Sequence, residues 1–319
     1  MKLQTQVPLK KANRPMDYNS RPVLFGSCFS QHIGAKLRYF KFRSFENPFG
    51  ILFHPLAIEN VIFRALKNQG YTPAELFFGN DQWHCFDAHS ALSDVSREKL
   101  LERLDQQLRE TEQRLLGASH LIITLGTAWT YEHIEQGKTV ANCHKVPQKE
   151  FRKSLLSVAE IRDSLQRMVH QVKTVNPAVQ FIFTISPVRH LKDGFVENQR
   201  SKSHLIAAVQ EVLHAPSFNA GGAYFPAYEI MMDELRDYRF YDTDMLHPNT
   251  LAISYIWERF KSVWIADHAL GVMERVDQVQ RGLGHRPFNA GSARHQEFQA
   301  VLATKIRALK EDFPFMVFE

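Results

Sequence analysis

Ser27 follows Gly26 at the end of the apolar run Val23-Leu24-Phe25. A strand that stops at a glycine and turns at once into a helix leaves a hydroxyl at the strand's carboxyl end, where open α/β sheets bind ligands. Ser30-Gln31-His32-Ile33 can begin that helix, with Ser30 as its N-cap. The free N–H groups of a helix N-terminus favour developing negative charge. Ser27 is therefore a candidate nucleophile, although Gly-Ser is also an ordinary turn and Ser an ordinary cap. Far along the chain, Asp244 and His247 precede a helical stripe of Ile253, Ile256, Trp257, Phe260 and Trp264. In a turn, that spacing sets a carboxylate beside an imidazole, fixing its tautomer and stabilising the protonated ring. The order Ser, Asp, His is one of several in which such chemistry recurs. On this reading Ser27 attacks an acyl carbonyl, His247 relays the proton and Asp244 orients His247. Cys28 is a rival nucleophile, since a helix N-terminus lowers thiol pKa, but its side chain is expected to point into the core.

The elements that must hold these residues alternate. Strands are expected at Pro22–Gly26, Phe42–Phe45, Leu121–Gly126, Val179–Ser186 and Ala223–Glu229. Continuous apolar runs such as Leu121-Ile122-Ile123 suit parallel strands buried on both faces. Helical periodicity covers Ser30–Tyr39, Pro55–Asn68, residues 94–116, the stripe Ile161 to Val172, and Ser201–Leu213. Asn47-Pro48-Phe49-Gly50 reads as a turn. Residues 71–93 read as irregular, and residues 130–143 as a hairpin around Gln136-Gly137 that returns with Asn142-Cys143-His144. Strands alternating with helices imply an α/β fold around a parallel sheet. Met1–Ser20 is expected to lie down as an extended arm. After Trp264 the pattern is helical, and this tail is expected to pack on the main domain or on another copy, which is compatible with a homo-oligomer.

Gly26-Ser27-Cys28-Phe29-Ser30 closely resembles the signature of the GSCFA-domain family. Asn47-Pro48-Phe49-Gly50, Asp87-Ala88-His89-Ser90, Leu125-Gly126-Thr127-Ala128-Trp129, Ala141-Asn142-Cys143-His144-Lys145 and Asp244-Met245-Leu246-His247-Pro248-Asn249 resemble its other blocks, from about Arg21 to about Phe260. That family is similar to the SGNH/GDSL hydrolases, whose first block carries the Ser and whose last is D-x-x-H. The resemblance implies serine-esterase chemistry on a three-layer α/β/α, flavodoxin-like fold. It implies a catalytic domain over 21–264, between the arm at 1–20 and a C-terminal helical extension at 265–319. The oxyanion would be held by the N–H groups of Ser27 and, by resemblance, Gly50. Where the wider pattern has an Asn, this chain has Ala128, so Asn142, or the hydroxyl or N–H of Thr127, is the expected replacement. The acyl group is expected to be small, such as acetyl on a carbohydrate.

Other residues leave alternatives open. His84, Asp87 and His89, with His144, could form a metal-dependent hydrolase site, although zinc ligands at such short spacing usually sit in knuckles with paired Cys. His89 and Ser90 are more simply expected to bond substrate or scaffold near the site's mouth. Arg189 either binds an anionic substrate group or pairs with a surface carboxylate, the pair being the simpler expectation. A non-catalytic α/β binding module would keep the pocket but has no need of an activated base.

The chain has 319 residues, 44% hydrophobic and 23% charged, a globular composition that excludes disorder as the main state. Its +5 charge comes from 39 basic against 34 acidic residues, without a basic block, so nucleic-acid binding is not expected. No apolar run is long enough to span a membrane, and Met1–Ser20 lacks the apolar core of a signal peptide. Three cysteines do not make a disulfide framework and fit reduced thiols, so a cytoplasmic location is expected. The expected chemistry requires no cofactor or metal; the expected partner is a small-molecule or carbohydrate ester.

Overall fold

The computed structural model describes residues 4–218 and 221–318. In chain order the strands are β1 (Pro22–Gly26), β2 (Phe45–Glu46), β3 (Leu76–Gly79), β4 (Gln82–Cys85), β5 (His120–Leu125), β6 (Trp129–His133), β7 (Lys138–Val140), β8 (Phe151–Leu155), β9 (Gln180–Ile185) and β10 (Gly222–Phe225). The helices are α1 (Cys28–Tyr39), α2 (Pro55–Leu66), α3 (Arg97–Leu116), α4 (Val158–Val175), α5 (Phe195–His214), the short α6 (Ala227–Glu229), α7 (Thr250–Trp264), α8 (Asp267–Leu283) and α9 (Ala293–Asp312).

Five strands form one sheet in the order β10-β9-β5-β1-β2, and every pairing in it is parallel. Counted along the chain within that sheet, this is the flavodoxin-like order 2-1-3-4-5, so the expected three-layer α/β/α fold is present. Alternation along each strand sends side chains to both faces. Val23, Phe25, Leu121, Ile123, Phe181 and Phe183 pack with α2, α3, α4 and α5. Leu24, Ile122 and Ile182 pack on the opposite face with α1, α7, α8 and α9. A sheet covered on both faces needs apolar residues at every position, which is why these strands read as unbroken apolar runs.

The strand order reverses between β1 and β5. Adjacent strands there send their chains to opposite sides, which opens a crevice at their carboxyl ends. Gly26 pairs with Thr124 at that edge. Both ends of the chain close over the α1 face. Met16 is fully buried; its N–H donates to the Trp264 carbonyl at 2.6 Å, and its carbonyl accepts from Ala266 N at 2.8 Å. Leu302, Leu309 and Met316 from the tail join the same core as Leu24 and Phe29.

Several boundaries differ from expectation. The first helix begins at Cys28 with Ser27 as its N-cap, not at Ser30. The second strand is Phe45–Glu46. Residues 71–93 contain the β3–β4 hairpin. The 130–143 hairpin gains β8 as a third strand, paired with β6. The last strand stops at Phe225, and Ala227–Glu229 is helical.

Gly26 has φ +138°, and a Cβ there would lie 2.1 Å from the Thr124 carbonyl oxygen. Only glycine fits that approach. Gly26→Ala is expected to cost at least about 2 kcal/mol in chemical denaturation; parent-like stability would contradict the close strand contact.

Candidate active site

The turn after β1 presents its residues in an unexpected order. Ser27 N donates to the Thr124 carbonyl at 3.1 Å, which ties the Ser27 main chain to β5. The Ser27 side chain is 0% exposed, makes no capping bond, and its Oγ has no hydrogen-bond partner among the described residues. The expected nucleophile is thus turned inward, and the N–H expected to stabilise an oxyanion is engaged in the turn. Cys28 opens α1 and is half-buried. The reversal follows from the start of the helix: with Ser27 as N-cap, the first helical side chain is that of Cys28. Burial pushes the Cys28 thiol up, while the N–H groups of Phe29 and Cys28 itself and the nearby Lys202 pull it down.

The Asp244–His247 turn forms as its spacing requires. Asp244 Oδ2 lies 2.5 Å from His247 Nδ1, and Asp244 Oδ1 accepts the N–H groups of Leu246 and His247, both at 2.9 Å. These bonds, the His247 N–H first, hold the Asp244 carboxyl down at about 2. A carboxylate fixed in this way donates no proton and can only orient its imidazole. The turn is locked by Met245 at φ +59°, by Asp242 N on the His247 carbonyl at 2.7 Å, and by Asn249 capping α7. His247 is half-exposed. Its charge reaches His32, one turn beyond Cys28 on α1, and His190, after β9. Lys202 in turn reaches both Cys28 and His190. Electrostatic influence thus links Cys28 to Lys202, Lys202 to His190, and both His190 and His32 to His247. Burial brings His190 down to about 4, so it is neutral at physiological pH.

Other expected residues have other roles. The Gly50 N–H donates to the Asn47 carbonyl at 2.8 Å inside the Asn-Pro-Phe-Gly turn, so it is not free for an oxyanion. Asn47 takes a place that the sequence did not suggest. Its Oδ1 accepts from Gly26 N at 2.9 Å, and its buried Nδ2 has no partner among the described residues. The only sequence signal was an Asn before Pro in a turn; in the structure Asn47 is left-handed, with φ +41°. Thr127 N donates to the Phe53 carbonyl at 3.1 Å, and Thr127 Oγ1 meets Ser201 Oγ at 3.1 Å and accepts Trp129 N at 3.0 Å. Thr127 is thus scaffold; its N–H and hydroxyl are not free. Asn142 Oδ1 accepts His144 N at 2.8 Å. Asn142 and Thr127 nevertheless line a cavity of about 620 Å³ with Phe53, Trp129, Tyr131 and His190. Arg189 lines a second cavity of about 470 Å³ beside Asp244. It forms no carboxylate pair among the described residues, and its Nη2 lies 3.0 Å from Met232 Sδ.

The His84 cluster does not converge on a shared centre. His84 is held by Ser93 Oγ at 2.6 Å and the Gly79 carbonyl at 2.8 Å. His144 is held by Ser90 Oγ at 3.1 Å and the Cys85 carbonyl at 2.8 Å. Asp87 pairs with Lys138 at 2.8 Å, and His89 Nδ1 accepts Ala91 N at 3.2 Å. Among the described residues no group of three His, Cys, Asp or Glu is placed to hold a metal ion. Among them, too, no helix is long and apolar enough to cross a membrane.

Residues 21–260 match the GSCFA family and residues 276–319 the C-terminal domain of GSCFA domain proteins. The chain belongs to the GSCFA family. No curated protein matches it.

A hydroxyl with no partner, buried in the turn, contributes no favourable bond and carries a desolvation cost. Ser27→Ala is therefore expected to fold with stability equal to the parent or higher by up to about 1 kcal/mol. A loss of more than about 1.5 kcal/mol in urea titration would mean that Ser27 Oγ has an essential partner.

Proposed function

We propose that the chain is an acyl-transfer enzyme acting on small acyl esters through a cysteine nucleophile. The observation that carries this reading is the half-buried Cys28 as the first residue of α1, beside a fully buried Ser27, on the helix whose His32 feels the charge of His247 in the Asp244–His247 pair. In the proposed reaction His247 takes the thiol proton as Cys28 Sγ attacks the ester carbonyl. The oxyanion is held by N–H groups at the start of α1 and by Asn47 Nδ2, donors of the kind that contribute most in such sites. The tetrahedral adduct collapses, and the leaving alcohol takes a proton from His247. The acyl thioester is then cleaved by water or by an acceptor hydroxyl, whose proton His247 removes.

Resemblance to the SGNH/GDSL hydrolases supports an ester substrate, and a carbohydrate ester follows from that analogy. Trp129 and Tyr131 line a cavity together with His190, and aromatic side chains suit the apolar side of a sugar ring. The serine-esterase reading keeps the same His247 and Asp244 but requires Ser27 Oγ to become accessible.

Brief incubation with p-nitrophenyl acetate, acid quench and peptide mapping by mass spectrometry test the reading. The expected result is acetyl on Cys28 in the parent and in Ser27→Ala, and none in Cys28→Ala. Acetyl on Ser27 would establish the serine reading instead. No adduct and no p-nitrophenol release would favour a binding module.

A further inference from the structure

The loop after β9 runs between two cavities. His190 and Lys192 line the one that holds Trp129 and Tyr131. Arg189 and Leu191 line the other, of about 470 Å³. This second cavity adjoins the proposed base: Asp244 lines it, and Asp244 Oδ2 lies 2.5 Å from His247 Nδ1.

Arg189, Arg236, Asp237 and Asp244 are its charged lining residues. Arg236 pairs with Asp233 at 2.5 Å, and Asp237 with Arg239 at 2.8 Å. Asp244 uses both oxygens on its own turn, accepting the N–H groups of Leu246 and His247 and meeting the imidazole. Arg189 differs from these three. Among the described residues it has no carboxylate partner, and its buried Nε has no hydrogen-bond partner. Its Nη2 lies 3.0 Å from Met232 Sδ, a weak acceptor. The Tyr228 hydroxyl faces the same guanidinium and donates its own proton to Gln199 Oε1 at 2.7 Å. A thioether and a neutral hydroxyl leave a permanent positive charge unbalanced.

The walls around that charge are apolar and open to water. Phe195, Tyr238 and Met245 are 60%, 69% and 52% exposed, with Leu191 and Tyr241 beside them. Such a cavity favours a ligand that covers the walls with a hydrocarbon stem and brings an anion to the guanidinium. One planar guanidinium matches a carboxylate, which it binds through two parallel N–H bonds. A phosphate monoester carries close to two negative charges at pH 7 and would set the excess against Asp244. The cavity with Trp129 and Tyr131 suits the sugar, which leaves this one for the acyl group.

We propose that Arg189 binds a carboxylate at the far end of the substrate's acyl group, so that the enzyme takes half-esters of short dicarboxylic acids, succinyl being the simplest. This inference rests on the acyl-transfer reading and makes Arg189 a specificity-determining residue for it.

Two measurements test the proposal. The first compares kcat/KM for monoethyl succinate and ethyl butyrate, whose acyl groups have the same number of carbons. The parent is expected to prefer the succinate by about 30-fold, the size of a hydrogen-bonded charge pair, and Arg189→Met to remove that preference. Arg189→Lys keeps the charge without the fork and is expected to keep part of it. Should Arg189→Met not fold, Arg189→Gln gives the same reading. The second follows binding of the two esters to Cys28→Ala by ligand-observed NMR, which reads the cavity without the chemistry. Monoethyl succinate is expected to bind, and to stop binding when Arg189→Met is added. If binding depends on Arg189 but no ester is cleaved, the carboxylate site stands and the acyl-transfer reading falls. If acetyl maps to Cys28 while Arg189→Met and Arg189→Gln leave both the preference and the binding unchanged, the acyl-transfer reading stands and the role of Arg189 is overturned. Equal binding of ethyl butyrate, or no binding of monoethyl succinate, also overturns it.

Discussion

The site depends on the contact between the backbone of Gly26 and the backbone of Thr124. The two strands meet there so closely that no Cβ fits, and Ser27 N is drawn onto the same Thr124 carbonyl. That contact fixes where β1 ends and where α1 begins. It turns Ser27 inward and makes Cys28 the first side chain of the helix. Asn47, bonded through Oδ1 to Gly26 N, fastens the β2 side of the same junction. The opening between β1 and β5 then follows from strand order alone, because the connections diverge at that point.

Around this junction the fold gathers groups from distant parts of the chain. His32 comes from α1, His190 from the loop after β9, Lys202 from α5, and Asp244 and His247 from the turn before α7. Buried Lys202 and His190 shift towards their neutral forms, since burial disfavours a charge without a partner. Asp244 keeps its charge because main-chain N–H groups and the imidazole hold it in solvent. The structure therefore holds a fixed anion at Asp244, an imidazole at His190 that is neutral near physiological pH, and a buried amine brought down to about 7, a separation that proton-transfer chemistry can use.

Much of the fold was legible in the sequence, because a parallel sheet covered on both faces needs apolar runs such as Leu121-Ile122-Ile123 and Phe181-Ile182-Phe183. The Asp244–His247 pair was legible too, since a three-residue spacing in a turn leaves few other geometries. The choice between Ser27 and Cys28 was not. It turns on a one-residue difference in where the helix starts, and Ser30 is as good a cap by type as Ser27. Gly50 and Thr127 were legible as edge residues, but their N–H groups are taken by the Asn47 and Phe53 carbonyls, which are tertiary partners or turn closures. Lys202 carried a weak signal: with Leu205, Val209 and Val212 it falls on the buried stripe of α5, where a lysine is out of place unless it has work inside. The β8 strand was missed because its exposed middle, Arg152-Lys153-Ser154, has no apolar alternation.

The most direct test of the central claim is the pre-steady-state rate of acylation by p-nitrophenyl acetate in the parent, Ser27→Ala and Asp244→Asn. The account predicts that Ser27→Ala acylates within about threefold of the parent, and that Asp244→Asn, which misorients His247, falls by about 100-fold or more. Loss of acylation in Ser27→Ala with Asp244→Asn unaffected would contradict it.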